Sequence, residues 1–186
     1  VLNPKAGKLA IKVPHLLKAP KWTVQPGEEF SALWGSGYGQ ARAFIEVEHR
    51  RRILQSFWTE RGLTQFQLKQ AVNEAMRGGF TVHVTMVREN RAYLSSRKIS
   101  VPWTNKNLTV KWDSFRDKLQ PGQKEKWTAT ISGSNAEKAI AEMAAVLYDE
   151  SLDQFKPHSW TQGLNVFRQD YAPLSQRFEN QAKGMS

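Results

Sequence analysis

The chain has 186 residues, no cysteine and a formal net charge of +10. The absence of cysteine excludes disulfides, cysteine-ligated zinc sites and a thiol nucleophile. Seven tryptophans and a hydrophobic fraction of 40 % exclude a disordered chain and predict a packed core. Apolar and polar residues alternate along most of the sequence, which predicts short β-strands. In chain order, we predict strands at 9–13, 30–34, 41–48, 65–69, 80–87, 97–103, 108–112 and 127–131.

Turn signals separate these strands, including the Gly78-Gly79 and Glu89-Asn90 pairs. Short strands joined by regular turns are typical of an all-β antiparallel sandwich. No run of about 18 apolar residues is present, so we expect no membrane-spanning helix. The sequence starts at Val1 without a charged and then apolar leader, and we therefore expect a piece of a longer chain whose address signal lies elsewhere.

One turn and the strand after it occur twice in the sequence. Their residues are Pro26 and Gly27 before Phe30, Ala32 and Trp34, and Pro121 and Gly122 before Trp127, Ala129 and Ile131. The separation is about the size of a small domain, which predicts equivalent turns in two tandem domains and not a solenoid. The segment VPWTNKN at 101–107 is the predicted seam, and it gives domains at 1–104 and 105–186.

Residues 135–155 are an exception to the alternation. Ile140, Met143 and Leu147 share one face at helical spacing, and the segment is rich in Ala, Glu and Lys. Ser134 or Asn135 could cap such a helix. From the residues alone, this segment is predicted to be an amphipathic helix.

The search for chemistry predicts no catalytic residue, no metal ligand and no cofactor. The glycines of WGSGYG at 34–39 lie between two strands, which favours a hairpin loop over a phosphate cradle. Neither the histidines nor the acidic cluster has the spacing of a metal site, and we interpret them as solvated or hydrogen-bonded groups. These residues are His15, His49, His83 and His158, with Asp149, Glu150 and Asp153.

The lysines and arginines are spread along the whole chain, so the charge favours a fragment with an acidic counterpart elsewhere over a specific nucleic-acid binder. Trp34, Trp112 and Trp127 share phase with aliphatic or small neighbours, and we predict that all three are buried core anchors. The rival hypothesis is a β-sandwich that binds a carbohydrate or a partner strand. Such a module would place tryptophans on the outward phase of its strands.

Four stretches together resemble a known family. They are VQPGEEFSALW, RGGFTVHVTMVRENRAYLSSRKISVPW, NLTVKWDSFRDKLQPGQKEKWTATISG and AEMAAVLYDESLDQFKPHSW. They are similar to the macroglobulin-like domains of bacterial members of the α2-macroglobulin family, next to the bait region. The resemblance covers about residues 22–160, and its motifs are structural.

The resemblance implies tandem sandwiches of the macroglobulin-like, immunoglobulin- or fibronectin-III-like kind, with a strand at 141–149 and helix only at 150–155. It implies a structural module of an inhibitor that traps proteases after bait cleavage, in the periplasm, on the cell surface or secreted. Its partners would be neighbouring macroglobulin-like domains and target proteases. The family's thioester needs a cysteine, so this piece is not the thioester domain, and its tail at 161–186 would lead toward the bait region.

Overall fold

The structure is a computed structural model that describes residues 3–114, 116, 118–134, 143, 145, 150–157, 159 and 167–170. The chain divides into two compact units. The first unit ends at Pro102 and resumes at Phe167, and the second unit runs from Trp103 to Val166. The first unit therefore includes residues 167–170, which the sequence analysis placed in a second domain. The arrangement of two tandem sandwich domains stays a prediction.

The described part of the first unit contains seven antiparallel strands in two sheets. They are β1 (Leu16–Lys18), β2 (Glu29–Gly35), β3 (Ala43–His49), β4 (Arg52–Trp58), β5 (Gln65–Ala71), β6 (Phe80–Arg88) and β7 (Arg91–Ile99). One sheet has the order β1-β2-β5, and the other has the order β4-β3-β6-β7. A one-turn 3-10 helix, Glu74–Met76, joins β5 to β6. The predicted all-β antiparallel fold is confirmed.

The core lies between the two sheets because alternate residues of their central strands face inward. Phe30, Ala32 and Trp34 of β2 are buried, as are the alternate residues of β3 and β6 that include Ile45 and Val84. The rings of Phe30 and Phe80 meet edge to face, with centroids 5.6 Å apart, and so link the two sheets. Trp34 has no exposed surface, which places it in the interior of this core.

The strands differ from the prediction in three places. A strand was predicted at 97–103, but β7 spans Arg91–Ile99, and residues 100–102 bond to Trp22, Gly78 and Arg77 instead of to β6. Residues 9–13 form no strand, because the backbone N–H of Leu9 bonds to the hydroxyl of Thr64 and the chain enters a sheet only at Leu16. Strand β4 was not predicted, since it lies at the edge of its sheet and exposes residues on both faces. Its pairing with β3 shifts register at Leu54, so the two adjacent apolar residues Ile53 and Leu54 break the alternation.

The two Gln-Pro-Gly segments form the same local turn. Gly27 has φ +89° and Gly122 has φ +77°, both in the left-handed region that glycine tolerates. In each turn the residue after the glycine donates its N–H to the carbonyl of the glutamine before the proline, at 3.1 Å for Glu28 and 3.0 Å for Gln123. This is the type II geometry, with Pro and Gly at its two central positions. Whether the turns occupy equivalent places in two sandwiches stays a prediction.

The described part of the second unit contains a hairpin of β8 (Thr109–Ser114) and β9 (Thr128–Ser132), and the 3-10 helices Thr104–Lys106 and Glu150–Gln154. Trp112 is 47 % exposed and Trp127 is half-buried, with their rings edge to face at 6.3 Å. Trp112 is therefore not the buried anchor that its phase predicted, because two strands form a face but do not cover it. The strand predicted at 141–149 lies outside the described residues except for 143 and 145.

Candidate functional site

The candidate site is a corner of the first unit built by Arg77 and Gly78, which we name the Arg77–Gly78 corner. It follows the 3-10 helix Glu74–Met76 and leads into β6. Gly78 and Gly79 have φ values of +94° and +96°, so the chain turns here in a conformation that side-chain-bearing residues rarely adopt. A Cβ atom on Gly78 would also lie 2.8 Å from the carbonyl oxygen of Arg168. Glycine is thus required by both backbone conformation and space.

The outgoing end of the first unit is held at this corner. Gly78 donates its N–H to the carbonyl of Val101 at 2.9 Å, and the guanidinium of Arg77 donates to the carbonyl of Pro102. Arg77 is 5 % exposed. Its guanidinium also donates two hydrogen bonds, of 2.6 and 2.9 Å, to the carboxylate of Glu74. This contact lowers the pKa of the Glu74 carboxyl below its usual value. Arg77 is thus held by the Glu74 carboxylate and in turn fixes Pro102, the last residue before the second unit.

The returning end of the chain is held at the same corner. Asp170 donates its backbone N–H to the carbonyl of Gly78 at 2.9 Å. Its side chain is fully buried and accepts a hydrogen bond from Arg50 Nε at 2.9 Å, and it also pairs with Arg168. Arg50 lies in the tight turn between β3 and β4, where it and Arg51 have positive φ. Two guanidinium groups thus compensate the buried carboxylate, which would otherwise be costly.

Residues 103–166 lie along the chain between the two parts of the first unit, and we call them the inserted segment. The two backbone groups of Gly78 face opposite ends of that segment, with the N–H on Val101 and the carbonyl on Asp170. The corner therefore fixes the residues on both sides of the inserted segment.

A second polar cluster on the outer face of the four-stranded sheet has the composition of a hydrolytic relay. His83 is hydrogen-bonded through Nδ1 to Ser96 Oγ at 2.8 Å and through Nε2 to Glu48 Oε2 at 3.0 Å. Acyl transfer also needs donors aimed at a developing oxyanion. Here the three residues lie within paired strands whose backbone N–H groups serve the sheet ladder. We interpret the cluster as a polar ladder that satisfies a buried histidine.

The other predicted candidates are dispersed. His15 bonds to Ser95, His49 Nδ1 donates to the carbonyl of Gly79, and His158 lies outside the described residues. Among the residues that the structure describes, no three His, Asp or Glu side chains gather closely enough to hold a metal ion. In the same part of the chain, no helix has the length and apolar character required to cross a bilayer.

Sequence reasoning did not identify the corner. The Gly78-Gly79 pair was recognised as a turn, but a turn signal does not say which segments pack on it. Asp170 carried no signal, because its partners Arg50 and Gly78 are distant in sequence. Arg77 lies between the predicted strands at 65–69 and 80–87, where an exposed arginine is the usual expectation.

Residues 15–155, more than half of the chain, match the family model of the alpha-2-macroglobulin bait region domain. No curated protein matches the sequence. The matched range includes all seven described strands of the first unit, and it extends through the described hairpin of the second unit.

Proposed function

The chain belongs to the family of the alpha-2-macroglobulin bait region domain, and from this premise we propose that it is a non-catalytic module of an inhibitor that traps proteases. In this proposal a target protease cleaves the inserted segment, and the first unit is the frame that carries it. The parent chain responds to the cut and encloses the protease. The partners are thus the neighbouring macroglobulin-like domains of the parent and the target protease.

The observation that supports the proposal best is the anchoring of both ends of the inserted segment at one corner. A frame for a cleavable segment must keep its own fold when that segment is cut. The first unit has its core between two sheets formed entirely before Pro102, and Gly78 holds the returning end through Asp170. Cleavage can therefore change the inserted segment while the frame persists.

Most described residues of the inserted segment are exposed, as access by a protease requires. All six residues of β8 are exposed, and so are the described residues from 116 to 126 between the two strands of the hairpin. Phe155 is 87 % exposed at the end of a short 3-10 helix. Proteases cleave exposed chain that can be drawn into an extended form, and short irregular segments meet that requirement at low cost.

The resemblance to bacterial members of the family supports a parent protein of the bacterial cell envelope. We therefore place the function in the periplasm, at the cell surface or outside the cell. The chain has no cysteine, so any covalent capture of the protease through a thioester would use another part of the parent.

Limited proteolysis of the chain tests the proposal. Trypsin and chymotrypsin are used at low ratio, and the first cuts are mapped by mass spectrometry. We expect the first tryptic cuts at lysines between 118 and 126 and the first chymotryptic cut after Phe155. The Phe155→Ala variant should lose that chymotryptic cut and keep the tryptic ones. First cuts within residues 16–99, ahead of any in the inserted segment, would contradict the proposal.

A second candidate function is a binding module, and exposed tryptophans are the observation that favours it. Trp58 is 52 % exposed and Trp112 is 47 % exposed, as aromatic platforms for sugars are. Trp58 lies on β4 of the first unit, and Trp112 lies on β8 of the second. Binding of neutral oligosaccharides that is lost in Trp58→Ala or Trp112→Ala, without a change in stability, would favour this second function.

A further inference from the structure

A cavity of about 630 Å³ opens on the first unit, at the end of β4 that is remote from the Arg77–Gly78 corner. Three arginines line it: Arg42 before β3, Arg61 after β4 and Arg88 at the end of β6. Trp58 and Val87 supply its apolar surface, and each is 52 % exposed. The volume lies in the range typical of ligand pockets, and its lining combines positive charge with apolar area.

Neighbouring groups contact the arginine side chains of this cavity, but no described carboxylate neutralises their charge. Arg42 donates from Nε to the carbonyl of Thr59 at 2.7 Å, and its guanidinium lies 5.2 Å from the centre of the Trp58 ring. The guanidinium of Arg88 lies 6.0 Å from the centre of the Tyr38 ring. Within the part of the chain that the structure describes, none of the three arginines forms an ion pair with a carboxylate. A ligand that brings carboxylates would therefore complete their charge pairing.

The cavity adjoins the end of β4, and in the part of the chain that the structure describes no strand pairs with the outer edge of β4. β4 is the outer strand of the four-stranded sheet, and Trp58 is its last residue. Ile53 and Leu54, each 46 % exposed, extend the apolar surface along the same strand. An edge strand offers unpaired backbone donors and acceptors at the spacing of an extended peptide, whose alternate side chains then point the same way.

We propose that this cavity and the adjoining edge of β4 bind an acidic, extended polypeptide segment of a partner. Its carboxylates pair with Arg42, Arg61 and Arg88, and an apolar side chain between them packs on Trp58. Its backbone pairs with the outer edge of β4. Charge complementarity selects an acidic partner, while the strand edge selects a polypeptide over a small anion.

The experiment measures binding of a fluorescent hexapeptide in which glutamate alternates with valine, phenylalanine and leucine. Matched peptides carry lysine or glutamine in place of glutamate. Binding is measured by fluorescence anisotropy at about 0.15 M salt. Salt at this concentration weakens nonspecific ionic attraction, because the Debye length is about 8 Å. We expect binding of the acidic peptide only, in the intact chain.

Variants distinguish a built site from diffuse charge. Arg42→Gln combined with Arg61→Gln should weaken acidic-peptide binding about tenfold or more, which corresponds to about 1.4 kcal/mol. Trp58→Ala should weaken it by a similar factor. The control, Lys12→Gln combined with Lys18→Gln, removes the same charge from exposed positions outside the cavity and should change binding less than about twofold. Thermal melts verify that each variant is folded.

Three results would overturn the proposal. The first is no binding of the acidic peptide by the folded chain, and the second is an equal loss in the lysine control. The third is binding of inorganic polyphosphate as tight as that of the peptide and lost in the same arginine variant, which would make the cavity a general anion site. None of these outcomes depends on cleavage of the inserted segment, so the proposed function is tested separately.

Discussion

Asp170 donates its backbone N–H to the carbonyl of Gly78 at 2.9 Å, although the second unit separates the two residues along the chain. The same glycine donates its own N–H to Val101, the residue next to the point where the chain leaves the first unit. The frame is therefore completed by a segment that follows the inserted residues. The contacts at this corner should therefore determine both the stability of the first unit and whether the two fragments stay together after a cut in the inserted segment.

Removing the buried carboxylate of Asp170 should destabilise the first unit. The Asp170→Ala variant loses the hydrogen bond from Arg50 and the ion pair with Arg168, and we expect a loss of about 1.5–3 kcal/mol in unfolding free energy. The control is Glu29→Ala, whose carboxylate pairs with Lys69 at 2.8 Å but is 52 % exposed. That variant should lose less than about 1 kcal/mol. Urea denaturation measures both, and equal losses would contradict the role of the buried pair.

Adding a methyl group at Gly78 should disturb the corner more than the same change at another left-handed glycine. Gly62→Ala should lower the free energy of unfolding by only about 1–2 kcal/mol, the cost of the left-handed backbone, because nothing lies within 4 Å of its Cβ position. Gly78→Ala has the same backbone cost. Its methyl group would also collide with Asp170 and Arg168, whose nearest atoms lie 2.7 and 2.8 Å from the Cβ position. We expect a lower melting temperature for Gly78→Ala and earlier proteolysis at 167–170. Equal melting temperatures for the two variants would show that the returning segment does not pack here.

The same substitution at two tryptophans tests where the core lies. Trp34→Ala should cost about 3–5 kcal/mol, because this side chain has no exposed surface and its removal leaves a cavity between the sheets. Trp58→Ala should cost about 1 kcal/mol or less, since the side chain is 52 % exposed at a sheet edge. Chemical denaturation measures both. A loss at Trp34 as small as that at Trp58 would argue that β2 carries a binding face.

The sequence predicts a strand well where one face of that strand is buried and the other is exposed, because apolar and polar residues then alternate. Phe30, Ala32 and Trp34 alternate with less buried residues, and the structure buries all three. Period-two spacing says which residues share a face but not whether another layer covers it, and Trp112 shows the difference at 47 % exposure. The Pro26-Gly27 turn was predictable because its conformation is local. The ion pair between Arg50 and Asp170 was not, since it depends on how distant segments pack.

Acid sensitivity should arise in part from His15. Its ring stacks against Tyr93 and bonds to Ser95, and burial lowers the pKa of His15 below its usual 6.5. The unfolded chain therefore binds a proton at His15 more readily than the folded chain. Its contribution to stability is present above pH 6.5 and is lost as the pH falls below that value.

The His15→Phe variant should accordingly lose less stability than the wild type between about pH 7.5 and pH 5. The Ser95→Ala variant retains the imidazole and should keep the steeper wild-type dependence. Melting temperatures measured across this range compare the three proteins. A His15→Phe profile parallel to that of the wild type would show that this histidine does not contribute.

The most direct test of the account is the fate of a chain cut once in the inserted segment. Trypsin is stopped after the first cut between 118 and 126, and the product is examined by native and by denaturing mass spectrometry. We predict one native species of intact mass plus one water, which separates into two fragments only on denaturation. The Asp170→Ala variant should release more of its C-terminal fragment under native conditions. Complete dissociation of the wild-type fragments after the cut would contradict the claim that the Arg77–Gly78 corner holds both ends.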